Sequence, residues 1–404
     1  MPSDAPVLPG LAILGAPPAF DRPLHVGAPN LPDREVLAAR LGEALDRRWL
    51  TNEGPLVQEF ERRVAARLGV RHCITTANAT TGMMVVARAL GLEGEVVMPS
   101  FTFVATASAM RWLGLRPVFA DIDPATHTLD PARAEEAITE HTSAILGVHI
   151  WGRPCDVEAL QEIADRHGIA LFFDAAPAFD CSHHGVKIGR FGAAEVVSFH
   201  ATKVLNTFEG GAILTDDDAL AERARRMTRF GFEGVDLVVD LGLNAKLSEA
   251  AAAMGLAQLE RLDEVIALNR AHHERYAAGL AELPGLTVTS HPEPDGANCH
   301  YVVLEIDGGE SPLDRDVLLR VLEAENVLAR RYFYPGCHRM APYAAEQPRA
   351  GERLLATAGL TGRVLQLPTG TAMTPADVDE VCGVVRRAYE HSGAVRAAVA
   401  AEGR

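Results

Sequence analysis

An α/β fold, with a mainly parallel sheet between layers of helices and a smaller C-terminal α+β domain, is what this sequence predicts. Three observations carry the prediction. Short β-branched and apolar runs alternate with helical stretches from residue 70 to residue 216, the pattern of successive strand–helix crossovers. A long apolar-periodic stretch follows Ser248. After Pro284 the texture changes to strand-like and helical runs in a new order.

Taken in order, residues 1–33 are rich in Pro and Gly and read as an extended N-terminal arm. Helices are predicted at 33–45 and 54–68, separated by Trp49-Leu50-Thr51-Asn52. The large domain, residues 34–250, carries strand-like runs at 95–98, 116–122, 144–150, 170–174, 195–199 and 211–215. Helical stretches at 80–91, 103–113, 131–140 and 156–168 lie between most of them. Ser248 has the character of an N-cap, and Ala252, Leu256, Leu259, Leu262 and Ile266 trace one apolar face. The spacing predicts a single long connecting helix over 251–283. Residues 284–404 form the small domain: strand-like at 285–290, 300–306 and 327–334, helical at 313–325 and from 375.

Composition narrows the function. The chain has 404 residues, 48% hydrophobic and 23% charged, enough to bury two cores. A net charge of −16 without a basic cluster argues against nucleic-acid and anionic-membrane partners. No run approaches the length of a membrane span. The N-terminus has Asp4 and no basic residue before Arg22, so no targeting signal is expected. Cys73, Cys155, Cys181, Cys299, Cys337 and Cys382 are scattered, without Cys-x-x-Cys, which fits free thiols in a reducing cytoplasm and no metal site.

The chemistry gathers at predicted strand ends, where ligands of such sheets bind. The run Ser198-Phe199-His200-Ala201-Thr202-Lys203 ends a strand, with Glu209-Gly210-Gly211 leading into the next. Only Lys187, Lys203 and Lys246 are lysines among 38 basic residues. A lysine here, where arginine supplies most surface charge, reads either as a solvated cation or as a nucleophile able to form a Schiff base. Thr75-Thr76-Ala77-Asn78-Ala79-Thr80-Thr81-Gly82 precedes a helix; it is either a simple capped helix start or a cup for a phosphate. Asp174 closes the apolar strand Ala170-Leu171-Phe172-Phe173 and needs a cationic partner, an arginine or a protonated pyridine nitrogen. The aromatics of Pro99-Ser100-Phe101-Thr102-Phe103 are core or a stacking platform. A phosphate cup, an aromatic, an acid and a lysine on successive strand ends call together for pyridoxal phosphate.

These motifs, with Gly152-Arg153-Pro154-Cys155-Asp156, Asp174-Ala175-Ala176 and Gly242-Leu243-Asn244-Ala245-Lys246-Leu247-Ser248-Glu249, make the chain resemble the DegT/DnrJ/EryC1/StrS sugar aminotransferases. That family is a branch of the fold-type I pyridoxal-phosphate enzymes, and the resemblance covers about residues 25–390. It implies a seven-stranded large-domain sheet and a homodimer with composite active sites. It implies that Lys203 holds the cofactor and shuttles the proton, that Asp174 pairs with the pyridinium and that Phe103 stacks on the ring. Ala79, Thr80 and Ser198 would bind the phosphate, Ala176 and His200 would complete the cofactor site, and Asn244 would reach the phosphate of the other subunit.

Two departures and one choice of substrate follow from the resemblance. Pro177 stands where the family has His or Gln against the ring hydroxyl, and Ala79 where Gly is common. Phe208, with Tyr332-Phe333-Tyr334-Pro335-Gly336-Cys337-His338, is similar to enzymes aminating a nucleotide-linked 4-keto-6-deoxyhexose. Phe208, Tyr332, Tyr334 and His338 would then bind substrate. The implied reaction moves the amino group of L-glutamate to a dTDP-linked 4-keto-6-deoxyhexose, for deoxysugar or antibiotic biosynthesis. Alternatives are a 3-keto sugar or cyclitol acceptor, and, from another class, a non-catalytic cofactor-binding regulator.

Overall fold

The computed structural model describes residues 10–402. Its centre is a seven-stranded sheet built from β1 (His72–Thr76), β2 (Glu95–Pro99), β3 (Arg116–Ala120), β4 (Thr142–Val148), β5 (Ala170–Asp174), β6 (Glu195–Ser198) and β7 (Gly211–Thr215). Their spatial order is β1-β7-β6-β5-β4-β2-β3. Only β7 runs against its neighbours: it is antiparallel to β1 and β6, whereas β3, β2, β4, β5 and β6 pair in parallel. The carboxyl ends of β2, β4, β5 and β6 therefore open toward one edge.

Both faces of the sheet are buried, and strand periodicity sorts them. Val96, Met98, Leu146, Phe172, Val196 and Ile213 share a core with the helices Ala79–Ala89 (α1) and Val104–Trp112 (α2). Their alternates Val97, Ile145, Leu171, Phe173, Val197 and Leu214 fill the opposite face. That two-sided burial is why these strands read as continuous apolar runs. The predicted helix at 131–140 stops at Glu136, because β4 already begins at Thr142.

The single helix predicted over 251–283 is two helices, Glu249–Leu259 (α3) and Leu262–Leu280 (α4). Ser248 does cap the first, accepting from the Ala251 amide at 3.1 Å. α3 is buried nearly all round within the large domain, whereas α4 packs on the helix Pro375–Glu390 (α5) and on the small sheet. The chain changes direction at Glu260–Arg261 to serve two bodies. The apolar face drawn through Leu259, Leu262 and Ile266 crosses that break.

The small sheet orders as β8 (Leu286–Val288), β9 (Val302–Ile306) and β10 (Val364–Leu367), all antiparallel. Val302, Leu304, Leu365 and Leu367 face the small-domain core, and Val303 and Val364 face the large domain. The strand expected at 327–334 shrinks to Val327–Leu328, because its partner is a two-residue piece of the N-terminal arm, Leu24–His25.

That arm is not free, although residues 1–9 of the region predicted as an arm lie outside the described residues. Leu11, Phe20 and Leu24 are buried in the small-domain core. The Glu325 carboxylate, fully buried, accepts from the amides of Ala12 at 2.6 Å and Ala19 at 2.7 Å. Asn30 then ties the arm to the large domain, donating to Val204 O at 3.2 Å and accepting from Asn206 at 2.9 Å. Glu325→Leu is expected to leave two backbone donors unpaired and to cost about 2–4 kcal/mol. The urea midpoint should fall and limited proteolysis should open the arm between residues 10 and 30.

Candidate active site

A cavity of about 610 Å³ opens at the carboxyl edge of the sheet, between the two domains and the arm. It brings together nine of the thirteen side chains singled out in the sequence: Ala79, Thr80, Phe103, Asp174, Ala176, Ser198, His200, Lys203 and Tyr332. The reason is topological. Each of them except Tyr332, which comes from the small-domain loop after Val327–Leu328, sits at or just past the end of a sheet strand or on the first turn of a helix that leaves one, and those ends converge.

At one end of the cavity lies the start of α1. Asn78 caps it by accepting from the Thr81 amide at 2.9 Å, and the first-turn amides of Ala79 and Thr80 have no acceptor within the helix. The Ser198 hydroxyl, from the end of β6, lines the same end. Two glycines allow this packing. A Cβ on Gly211 would lie 2.7 Å from the Ala79 nitrogen, and one on Gly82 would lie 2.8 Å from Val196 Cγ1. Helix dipole, open amides and a hydroxyl are groups that could hold a phosphate-like anion.

Asp174, at the end of β5, also lines the cavity and is 4% exposed. Its Oδ2 accepts from Thr106 Oγ1 at 2.7 Å and its Oδ1 from the Ala176 amide at 3.0 Å. Burial pushes the carboxyl above its ordinary range, against those two hydrogen bonds and the nearby Lys203 and His149. Among the described residues no cation is in salt-bridge contact with Asp174, so the arginine partner allowed by the sequence is not the arrangement found. A ligand cation placed against it would restore the ionised form. Phe103, the residue before α2, is 56% exposed and presents its ring to the cavity.

Lys203 follows β6 in a turn closed by its own amide on His200 O at 2.8 Å. Its Nζ donates to Tyr301 Oη at 2.8 Å, a small-domain phenol that the sequence reading missed. His300, the residue before Tyr301, is buried and pushed down to about 4 by that burial; it bonds Thr202 O at 2.7 Å. Gly27 of the arm closes the other side, with φ of 71° and no room for a Cβ against Thr202 Cβ at 2.9 Å. His149, also at a strand end, lies beneath the cavity rather than in it. Its Nδ1 accepts from the Cys155 amide at 3.0 Å, so the ring proton sits on Nε2 and goes to Glu195 at 2.6 Å.

Four expected residues lie elsewhere. His338 is buried against the large domain, with Nδ1 2.7 Å from Ser100 Oγ and its own amide donating to that hydroxyl at 2.9 Å. Tyr334 is exposed, its ring stacked by the Arg331 and Arg315 guanidiniums at 4.8 and 5.2 Å. Turns closed by Tyr334 N on Arg331 O and Gly336 N on Phe333 O fold the segment back, so Tyr332 and Phe333 line the cavity and Tyr334 and His338 do not. Phe208, with φ of 65°, is exposed outside the wall. Asn244 is exposed too; its turn is nearer the start of this chain's own α1 than the sequence suggests, because the Ala77 amide donates to Ala245 O at 2.6 Å. Besides Tyr301, the sequence reading missed Trp151 and Gln366 as wall residues, and no motif marks either.

Comparison with known proteins places this geometry. The model of the DegT/DnrJ/EryC1/StrS aminotransferase family matches residues 33–386. A dTDP-4-amino-4,6-dideoxy-D-glucose transaminase of Shigella dysenteriae is 38% identical over 316 residues, 78% of this chain and 86% of that protein. A GDP-perosamine synthase of Caulobacter vibrioides is 34% identical over 364 residues, 87% of this chain and 97% of that protein. The solved structure of DesI in the presence of its TDP-sugar product superposes with a TM-score of 0.91 at 50% identity, covering 96% of this chain and 99% of that one.

The raised Asp174 carboxyl has a consequence for stability. The fold favours its protonated form, so the stability this group contributes is full at low pH and is lost as pH rises through the raised value. Asp174→Asn should therefore raise the thermal midpoint of the ligand-free protein at pH 8, and the gain should vanish as pH falls below the ordinary carboxylate range. A midpoint series across pH reads this directly.

Proposed function

The chain belongs to the DegT/DnrJ/EryC1/StrS aminotransferase family, and on that premise we propose that it moves the amino group of L-glutamate to C4 of a dTDP-linked 4-keto-6-deoxyhexose with pyridoxal 5′-phosphate as cofactor. The observation that carries the reading is one lysine amine, Lys203 Nζ, in the same cavity as a buried carboxylate without a cationic partner.

The residues present fit the cofactor. Asp174 is desolvated and accepts a ring N–H⁺ far more readily than it stays alone. The first turn of α1 and Ser198 suit a phosphate, and Phe103 offers a ring face. Pro177 lines the cavity with no side-chain donor, and its carbonyl is taken by Asn298 Nδ2 at 3.0 Å; position 177 supplies no contact of the His or Gln kind. When bound, pyridoxal phosphate supplies an electron-withdrawing ring that acidifies the C–H beside the reacting nitrogen.

The chain's own part is then to hold and to move a proton. Asp174 keeps the ring nitrogen protonated, and Thr106 and the Ala176 amide keep Asp174 in place. Lys203 Nζ takes the proton from one carbon and delivers it to its neighbour, as base and then acid. Retention of Lys203 supports amino transfer; the family resemblance associates histidine at this position with dehydration instead. Tyr332, Phe333, Trp151 and Gln366 form the wall open to the sugar. The transaminase named for a dTDP sugar and DesI, described with its TDP-sugar product at 50% identity, favour that nucleotide over GDP. Such a product would enter deoxysugar assembly, with antibiotic assembly as one such route.

The active unit in this reading is a homodimer. Phe230, Phe232, Val235, Leu237, Val238, Val239 and Leu241 are all exposed along one short segment, Val235 at 86%. So continuous an apolar run suits burial by a second copy. Asn244 follows directly and would reach the neighbour's phosphate. Among the described residues no helix is long and apolar enough to cross a membrane, and the thiols are free, in keeping with a cytoplasmic site.

The purified protein should show a visible band bleached by L-glutamate, and should convert a dTDP-4-keto-6-deoxyhexose to the amino sugar, read by mass. No bleaching, or amination of only 3-keto sugars or cyclitols, sinks the reading. Lys203→Ala should lower turnover by about 10³-fold or more. Mixing inactive Lys203→Ala with inactive Asn244→Asp should restore about a quarter of the activity, because roughly half the dimers become hybrids with one intact site. A mixture that exchanges subunits yet stays dead excludes Asn244 from the neighbour's site.

A further inference from the structure

The contact between the two domains at Lys203 is more specific than domain packing requires. The small sheet has two faces. Val302, Leu304, Leu365 and Leu367 point into the small-domain core. Val303 pairs with Gln366, so with the period of two Tyr301, Val303 and Gln366 share the other face, toward the large domain. Tyr301 and Gln366 both line the cavity.

Two consecutive residues of this strand entry meet two consecutive residues of the lysine turn. His300 Nε2 lies 2.7 Å from Thr202 O, and Lys203 Nζ donates to Tyr301 Oη at 2.8 Å. His300 is buried, and burial holds it neutral at ordinary pH, with its value pushed down to about 4. Its single N–H therefore points at the Thr202 carbonyl. The Asn298 side chain braces the entry: Oδ1 accepts from the His300 amide at 3.0 Å, and Nδ2 donates to Pro177 O and Phe179 O at 3.0 Å each. The brace thus reaches back to the loop behind Asp174. Tyr301 is held edge-on to His300, with ring centroids 5.2 Å apart.

We propose that Tyr301 is the positioning residue for the reactive amine, its phenol oxygen holding Lys203 Nζ at one place on the cavity wall whenever that nitrogen is free. The proposal rests on the aminotransferase reading for the step it serves. In that step a substrate C–H bond breaks and an N–H bond forms on Nζ; the proton then leaves Nζ for the adjacent carbon. The phenol keeps its own proton throughout and only accepts from nitrogen. A flexible lysine has four rotatable bonds, so an anchor that fixes Nζ between two carbons shortens the search in each direction. His300 acts one bond further away, by fixing the backbone from which the lysine springs.

Tyr301→Phe removes the oxygen and keeps the ring. The chain has only three lysines, so Lys187 and Lys246 serve as internal references. In the cofactor-free protein, limiting acetic anhydride followed by peptide mass mapping reads the acetylation of Lys203 relative to both. The hydrogen bond holds Nζ against the phenol oxygen, so its loss should free the amine to reach the reagent and raise that ratio about three- to tenfold. In the loaded protein, the maximal rate of the glutamate half-reaction should fall about 10²-fold while half-saturation by glutamate stays within about twofold. An unchanged acetylation ratio overturns the proposal, and so does a rate loss matched by an equal change in half-saturation. Tyr301→Leu carries the same comparison if the Phe variant loses its thermal midpoint. Should glutamate leave the spectrum of the unaltered protein untouched, the aminotransferase reading falls, and the acetylation arm, which needs no cofactor, still decides the contact.

Discussion

A carboxylate held in a nearly dry strand end, Asp174, is the constraint around which this structure is arranged. Burying it costs free energy that an exposed aspartate would not. The fold offsets part of that with Thr106 Oγ1 and the Ala176 amide, and both donors depend on neighbouring elements being exactly registered. Thr106 is on α2, which follows β2, and Ala176 follows β5. The parallel pairing of β4 and β5 is extended by the His149 amide on Asp174 O at 3.0 Å. What remains uncompensated is the cost of ionising it, so the fold favours the protonated form, and the cavity in front of it is where a cation would stabilise the charged one.

The second organising feature is that the cavity has no wall made by one element alone. The sheet edge supplies the acid and Ser198, a helix start supplies open amides, and the lysine turn is held from the small domain by His300 and Tyr301. The arm, packed into the small-domain core at Leu11, Phe20 and Leu24, returns to the large domain at Gly27 and Asn30. Small and large domains are thereby stitched on both sides of Lys203. The buried His149–Glu195 pair, at 2.6 Å and with neither side chain exposed, stiffens the floor beneath.

Much of this was legible in the residues. Covered strands must be apolar on both faces, so the alternation from residue 70 to residue 216 announced the α/β class. Polar groups at the ends of such strands stood out against that background, which is why Lys203, Asp174, Ser198 and the Ala79–Thr80 turn could be named. The resemblance to a known family extended the reading to the reaction. The small domain was read less well. Tyr332-Phe333-Tyr334 offered three aromatics in a row, and nothing local says which of them turn inward; only the turns at Tyr334 and Gly336 decide it.

By itself, then, the sequence determined the class of fold, the strand-end chemistry and the family, because each is written in local pattern: period-two burial, helix caps, and polar residues closing apolar strands. Tertiary structure alone decided which wall faces the amine. Tyr301 and Lys203 are 98 positions apart, His338 was claimed by Ser100 rather than by the cavity, and the helix after Ser248 broke at Glu260–Arg261 to serve two bodies. Contacts of that range are set by how separate elements pack, and no periodicity within either segment encodes its partner in the other.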